Sequence, residues 1–198
     1  MSWDKGFNFR ATSGFVTDGI NETYVFKTDI YPVTRNGSTF GWQTVSPPLD
    51  YNRDSGLDRR LAGGNSEANF WSTETFRVDL YEASGGVYDI ALALGDILNN
   101  SISYVIFFDK TTQFADIYTD PHNANQYVDA AGTKHASAGA WVSSRKPRRR
   151  TFINDRLRVQ IGAFWPGVGW TPICHLRLTK PKINLNLIDL KSDLGELQ

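Results

Sequence analysis

The sequence predicts an all-β protein, an antiparallel jelly-roll β-sandwich. Three observations predict it. Short runs with apolar residues at every second position recur along the chain, which is the pattern of strands with one face on a core. Glycine- and proline-rich turns separate them, with 17 Gly and 8 Pro among 198 residues. The sequence shows no convincing helix of any length and no internal repeat. Many short strands with such turns argue for a sandwich or jelly roll.

The elements follow in order. Gly6–Arg10 places Phe7 and Phe9 on one face. A turn-rich stretch precedes a strand at Glu22–Lys27, and Thr39–Thr44 is the next. Pro47-Pro48 opens a polar loop expected to run to about Asn69; a loop of that length in a compact domain is functional or mobile. Phe76 to Asp96 is the centre of the pattern and predicts a hairpin. Phe76, Val78 and Leu80 form one face of its first strand, and Tyr88, Ile90, Leu92 and Leu94 one face of its second, with Ser84-Gly85-Gly86 as the turn.

Ile102–Asp109 is strongly apolar and is expected to be covered on both faces; Gln113–Thr119 follows it. Asp120 to Gly139 reads as loop, and Ala140–Ser143 carries Trp141. Thr151–Ile153, Arg156–Gly162 and Pro172–Thr179 close the series, the last with Cys174, Leu176 and Leu178 pointing inward. The expected core joins Phe76, Val78, Leu80, Ile90, Leu92, Leu94, Ile106, Val159, Ile161 and Leu176.

Residues 1–180 fit one domain that buries roughly 70% of its unfolded surface. Residues 181–198 form a C-terminal extension. In it Ile183, Leu185 and Leu187 alternate with polar residues, and Leu190, Leu194 and Leu197 follow at helical spacing. A disordered tail is poorer in large aliphatics, so this arm is expected to pack on another protein subunit, with folding back on its own sandwich as the alternative.

Lys+Arg and Asp+Glu are both 21, so the overall charge points to neither nucleic acid nor membrane. No apolar run reaches the roughly 20 residues of a membrane span. The N-terminus lacks the basic start and apolar stretch of a signal peptide. The expected setting is therefore the cytoplasm before release, and then a virion or other extracellular particle surface. The single cysteine, Cys174, forms no internal disulfide and reads as a buried thiol.

The segments FNFRATSGFVTDGINETYV, FGW, DRR and FRVDLYEASGGVYDIALALGD occur in this order, followed by YVDAAGTKH, RRRTFINDRLRVQIG and TPICHLRL. Together, over residues 6 to 180, they resemble the galactose-binding and malectin-like β-sandwich domains found beside pectin (rhamnogalacturonan) lyases and esterases. Gly19-Ile20-Asn21 departs from that group's usual glycine-tyrosine pair. The resemblance implies a galactose-binding-domain-like jelly roll with a non-catalytic, carbohydrate-binding role.

The residues themselves favour binding over catalysis. His122, His135 and His175 are the only histidines, and no nucleophile-elbow GxSxG accompanies them. His175 alternates with inward residues and is expected on the solvent or second-sheet face. A structural zinc lacks its cysteines. No cofactor is expected, although a bound calcium stays open, with Asp109, Asp116 and Asp120 as candidate ligands.

The expected ligand is a polysaccharide or other glycan. Trp165 and Trp170, in a Pro/Gly-rich loop, could stack on sugar faces or plug the end of the sandwich. Tyr51, Arg53, Asp58, Arg59 and Arg60 offer a ring and hydrogen-bonding groups, or a self-satisfied ion-pair network. Arg145-Lys146-Pro147-Arg148-Arg149-Arg150 reads as a solvated loop or a patch for an acidic partner; without interleaved aromatics it disfavours nucleic acid. Two competing functions remain: a virion structural or decoration protein that uses the sandwich for capsid or fibre attachment without sugar binding, and an accessory module of a lyase or esterase.

Overall fold

The computed structural model describes residues 4–11, 21–43, 48–53, 58, 60–66, 73–80, 85–144, 148–162 and 170–181. In chain order these form β1 (Asp4–Arg10), β2 (Glu22–Phe26), β3 (Val33–Arg35), β4 (Ser38–Trp42), β5 (Leu49–Asn52), β6 (Gly63–Ser66), β7 (Thr73–Asp79), β8 (Gly86–Gly95), β9 (Ser101–Asp109), β10 (Thr112–His122), β11 (Tyr127–Val128), β12 (Lys134–His135), α1 (Ala138–Ser143), β13 (Arg149–Ile153), β14 (Arg156–Gly162) and β15 (Ile173–Thr179).

Two sheets face each other as a jelly-roll sandwich. The first has the order β12-β11-β8-β15-β1-β2, with β13 also on β8 and the β5–β6 pair joined through β15. The second has the order β10-β9-β14-β7-β4-β3. The pairing is antiparallel, apart from the parallel β1–β2 pair and a parallel bridge between Ile30 and Trp42.

The core lies between the sheets. Phe7, Phe9, Phe40, Trp42 and Phe76 cluster with ring centroids 4.9–5.9 Å apart, most of them tilted or edge-on. Such geometries suit the ring quadrupoles better than face-to-face stacking. Val78, Ile90, Leu92, Leu94, Val159, Ile161 and Leu176 complete the cluster as expected. Leu80 is only partly buried against it. Ile106 lies outside it, because Val105 and Phe107 take the inward positions of β9 and leave Tyr104, Ile106 and Phe108 half-buried on the outer face. That strand is therefore covered on one face over most of its length, not on both.

The predicted hairpin does not exist as a pair. β7 bonds to β14 and β4 in the second sheet, while β8 bonds to β15, β13 and β11 in the first. Their apolar faces meet across the core instead. Alternation reports which face of a strand is buried and says nothing about which strand lies beside it.

Other stretches carry more structure than the sequence pattern predicts. The polar loop after Pro48 contains the antiparallel β5–β6 pair, with Leu49 opposite Ser66 and Asn52 opposite Gly63. The segment from Asp120 to Gly139 contains the end of β10, then β11 and β12. Their turn is held by Asp129 Oδ1, which accepts from the amides of Ala131 and Thr133. Trp141 sits in α1 rather than in an extended piece, and the Ser137 hydroxyl caps that helix by accepting from the Ala140 amide at 3.1 Å. In the basic run, Arg149 and Arg150 belong to β13.

Candidate functional site

A second, smaller apolar layer covers the outer face of the first sheet. Tyr51, Leu61, Ala93, Tyr127, Ala138, Trp141 and Cys174 build it. The small outward residues Ala91 and Ala93 of β8 leave room for it. β15 contributes Cys174 through a bulge between Ile173 and His175 that switches the strand's phase. Cys174 is thus buried as expected, but in this outer layer rather than in the main core; burial pushes its thiol up to about 12. His175 faces the same way and is covered as well, only 2% exposed, where solvent or the second sheet was expected.

Tyr51 is the hinge pin of this layer. Its hydroxyl donates to the Gly95 carbonyl at 3.0 Å and meets the Cys174 sulfur at 3.4 Å. Gly64 is required beside it, since a Cβ there would lie 2.4 Å from Oη. The Arg53 guanidinium sits 4.4 Å from the Tyr51 ring centroid. Its Nε and terminal nitrogen bond both oxygens of Asp96. Asp96 also accepts from the Leu98 amide at 2.9 Å and from Asn99 Nδ2 at 2.8 Å. Burial pushes the Asp96 carboxyl up, and these hydrogen bonds more than offset it, holding the group below the usual carboxylate range. Trp170, a half-buried residue, leans on the Tyr51 ring at 6.4 Å, and its carbonyl accepts from the Ile102 amide.

The predicted site residues therefore separate. Tyr51, Arg53 and Trp170 come together at the end of the sandwich marked by Gly95, with Tyr51 itself buried. Asp58 and Arg60 pair with each other, and the Arg60 guanidinium lies 5.2 Å from the Trp141 ring. Arg59, Trp165 and Arg145 to Pro147 lie outside the described residues. Arg150 forms a two-point pair with Asp89 at 2.7 and 3.0 Å, and Arg149 donates to the Ala130 carbonyl.

The three histidines are all engaged. His135 Nε2 lies 2.7 Å from Asp129 Oδ2. His175 Nδ1 lies 2.9 Å from Asn8 Oδ1. His122 Nε2 lies 3.1 Å from the Ser103 hydroxyl, a serine–histidine pair that sequence spacing does not reveal. Both partners are buried, and burial, with the Lys134 charge, holds His122 down to about 4. The calcium candidates are not assembled: Asp109 accepts from the Asn154 amide, and no group of three or more metal-ligating side chains occurs among the described residues.

No protein-family model and no curated protein matches the chain. Among solved structures it is similar to a family 35 carbohydrate-binding module from Paenibacillus barcinonensis, with 8% identity, a TM-score of 0.41, and coverage of 72% of this chain and 99% of that one. A native family 35 carbohydrate-binding module from Clostridium thermocellum aligns at 10% identity and a TM-score of 0.35, over 71% of this chain and 97% of that one. The GH26-CBM35 β-(1,4)-mannanase of Podospora anserina aligns at 13% identity and a TM-score of 0.38. That alignment covers 72% of this chain, which spans 28% of the enzyme's length.

Proposed function

We propose that this protein is a non-catalytic, carbohydrate-binding β-sandwich that holds a glycan and works on a particle surface, beside other protein subunits. The observation that carries the reading is the support behind Trp170. This half-buried residue rests on Tyr51, whose ring and hydroxyl are fixed by Arg53, Gly95 and Cys174. A ring held in place in advance loses little entropy when a sugar face stacks on it. Arg53 is committed to Asp96, so it positions the platform rather than contacting the ligand.

The non-catalytic part is supported by the described acid–base groups. The Ser103–His122 pair is closed off from solvent, His135 is tied to Asp129, and the Cys174 thiol is buried and raised. Tryptophan fluorescence titrated with a panel of neutral and acidic polysaccharides tests the reading. The expected affinity is micromolar to millimolar, about −4 to −8 kcal/mol, and Trp170→Ala abolishes it. No response to any polysaccharide overturns the proposal.

A second reading is a subunit of a virion or other assembly that does not bind sugar. Tyr118 favours it: on the edge strand β10 this residue is 55% exposed and packs edge-on against Tyr104 at 6.1 Å. An edge strand offers open backbone groups for pairing with another chain.

A further inference from the structure

We propose that a groove on the outer face of the second sheet binds a phosphate monoester, at a site separate from Trp170. It is lined by Gln43 after β4, by Lys110 and Thr111 of the β9–β10 turn, and by Arg156 and Arg158 of β14. The groove encloses about 450 Å³, within the ~300–1,000 Å³ of small-molecule sites. β9 keeps the two sites apart: the Ile102 amide near its start meets Trp170, and its other end runs into Lys110.

Much of the lining is held in place by β14. Leu157 and Val159 are buried in the core, so Arg156 and Arg158, which alternate with them, lie on the outer face. A two-residue turn, with Lys110 at φ 56°, joins β9 to β10. The Lys110 amide donates to the Arg156 carbonyl at 3.3 Å, and the Lys110 carbonyl accepts from Arg158 Nη1 at 3.0 Å. That bond and the Phe108 ring, whose centroid is 5.6 Å from the guanidinium carbon, fix the Arg158 head group beside the turn. Lys110 and Arg156 share one carboxylate, Asp155, at 3.7 and 2.5 Å. Arg158 has no ion-pair partner among the described residues.

Charge and donor chemistry select the ligand class. None of the described lining residues is acidic. Nearby, Asp79 is taken up by Arg77 and the Tyr31 hydroxyl, and Asp109 accepts from the Asn154 amide. A lining with three cations and no carboxylate favours an anion. The donor set narrows the class further. A planar carboxylate is satisfied by one guanidinium fork. Here an ammonium, a hydroxyl, an amide and two guanidiniums line one groove, which suits a tetrahedral group with three acceptor oxygens. A phosphate monoester carries about −1.5 to −2 charges at neutral pH. It therefore gains more from several cations than a singly charged sulfate ester or carboxylate does. No described lining residue is aromatic, so the groove offers no platform on which nucleic-acid bases would stack.

The test is an NMR titration of the full chain that follows the Arg156 and Arg158 Nε–H signals. The probes are inorganic phosphate, glucose 6-phosphate, methyl sulfate, galacturonate and a short single-stranded DNA without a terminal phosphate. Inorganic phosphate and glucose 6-phosphate are expected to shift both signals with millimolar affinity, more tightly than the other probes, and added salt should weaken both. Lys110→Gln removes a charge whose side chain takes no part in the Arg158 hydrogen bond. It should weaken binding by roughly fivefold, the worth of one exposed charge at contact distance. Arg158→Met, which keeps an unbranched stem on Phe108, should weaken it by at least as much. The proposal is overturned if neither phosphate moves the signals, if inorganic phosphate alone does, or if Lys110→Gln binds like the parent. It is also overturned if methyl sulfate, galacturonate or the DNA binds as tightly as glucose 6-phosphate. Lys110→Gln keeps the test decisive where Arg158→Met fails to fold. The site does not rest on the glycan reading. Phosphate binding with no polysaccharide response at Trp170 leaves this site standing alone, and a Trp170 response with silent arginine signals removes it and leaves the platform.

Discussion

Arg53 and Asp96 form a two-point ion pair in which the carboxylate side chain is fully buried and the guanidinium is only 15% exposed. Removing one partner of such a pair leaves an uncompensated charge, which is the expensive case. Arg53→Ala should destabilise the protein by about 3–5 kcal/mol, read by urea denaturation. The Arg53→Met/Asp96→Asn double variant should recover part of that loss. A single Arg53→Ala variant as stable as the parent would show that Asp96 is hydrated or protonated instead.

The buried His122 sets an acid limit. Its folded pKa, about 4, lies below the ordinary histidine value of 6.5. The unfolded chain therefore takes up a proton that the native state refuses. Stability present above pH 6.5 is lost as the pH falls towards 4, by roughly 3 kcal/mol in full. Below that window Asp96, Asp89 and Asp4, all held low by arginine partners, add further loss. Thermal melts from pH 7.5 to 4 should show the decline, and His122→Asn should flatten its upper part.

The two faces of the sandwich differ in what they tolerate. Leu92 is 1% exposed within the main core, so Leu92→Ala should destabilise by about 2–5 kcal/mol. Ile106, on the outer face of β9, should lose no more than about 1 kcal/mol on the same change. Equal losses in chemical denaturation would contradict the side-chain assignment of β9.

The C-terminal extension is expected to act between molecules. We propose that residues 182–187, with apolar and polar residues alternating, add to an open edge strand such as β10 of another subunit. Truncation after Pro181 should then lower the mass in solution. A truncated protein that keeps its oligomeric state and loses only thermal stability would assign the extension to its own sandwich.

Much of the scaffold was legible because alternation encodes burial. Phe76 and Val78 on one strand, and Ile90, Leu92 and Leu94 on another, were placed on the core from their spacing alone. Partner identity is not legible in alternation, which is why adjacent β7 and β8 look like a hairpin yet lie in different sheets. The outer layer was harder still. Its members Tyr51, Tyr127, Trp141 and Cys174 come from four distant stretches, and their contacts depend on a bulge in β15 that no local pattern announces. Tyr51 and Arg53 stand out in the sequence as a ring and a guanidinium in one polar loop, but nothing local ties Arg53 to Asp96, 43 residues later. Arg177 and His175 alternate with core residues in β15, so their ties to Asp4, Glu22 and Asn8 leave no mark in the sequence.

The pairing of β1 with β15, Asp4 opposite Thr179, has a consequence for how the chain is made. β1 is flanked by β2 and by β15, so its second edge stays open until β15 has been synthesised. Contacts between residues about 170 positions apart must close last, and closing a loop of that length carries an entropic penalty that local pairing does not. A ribosome-bound or truncated chain lacking β15 would present the unpaired edges of both β1 and β8, each with a row of aromatic or aliphatic side chains. Emergence of β15 is thus the step that covers both edges at once.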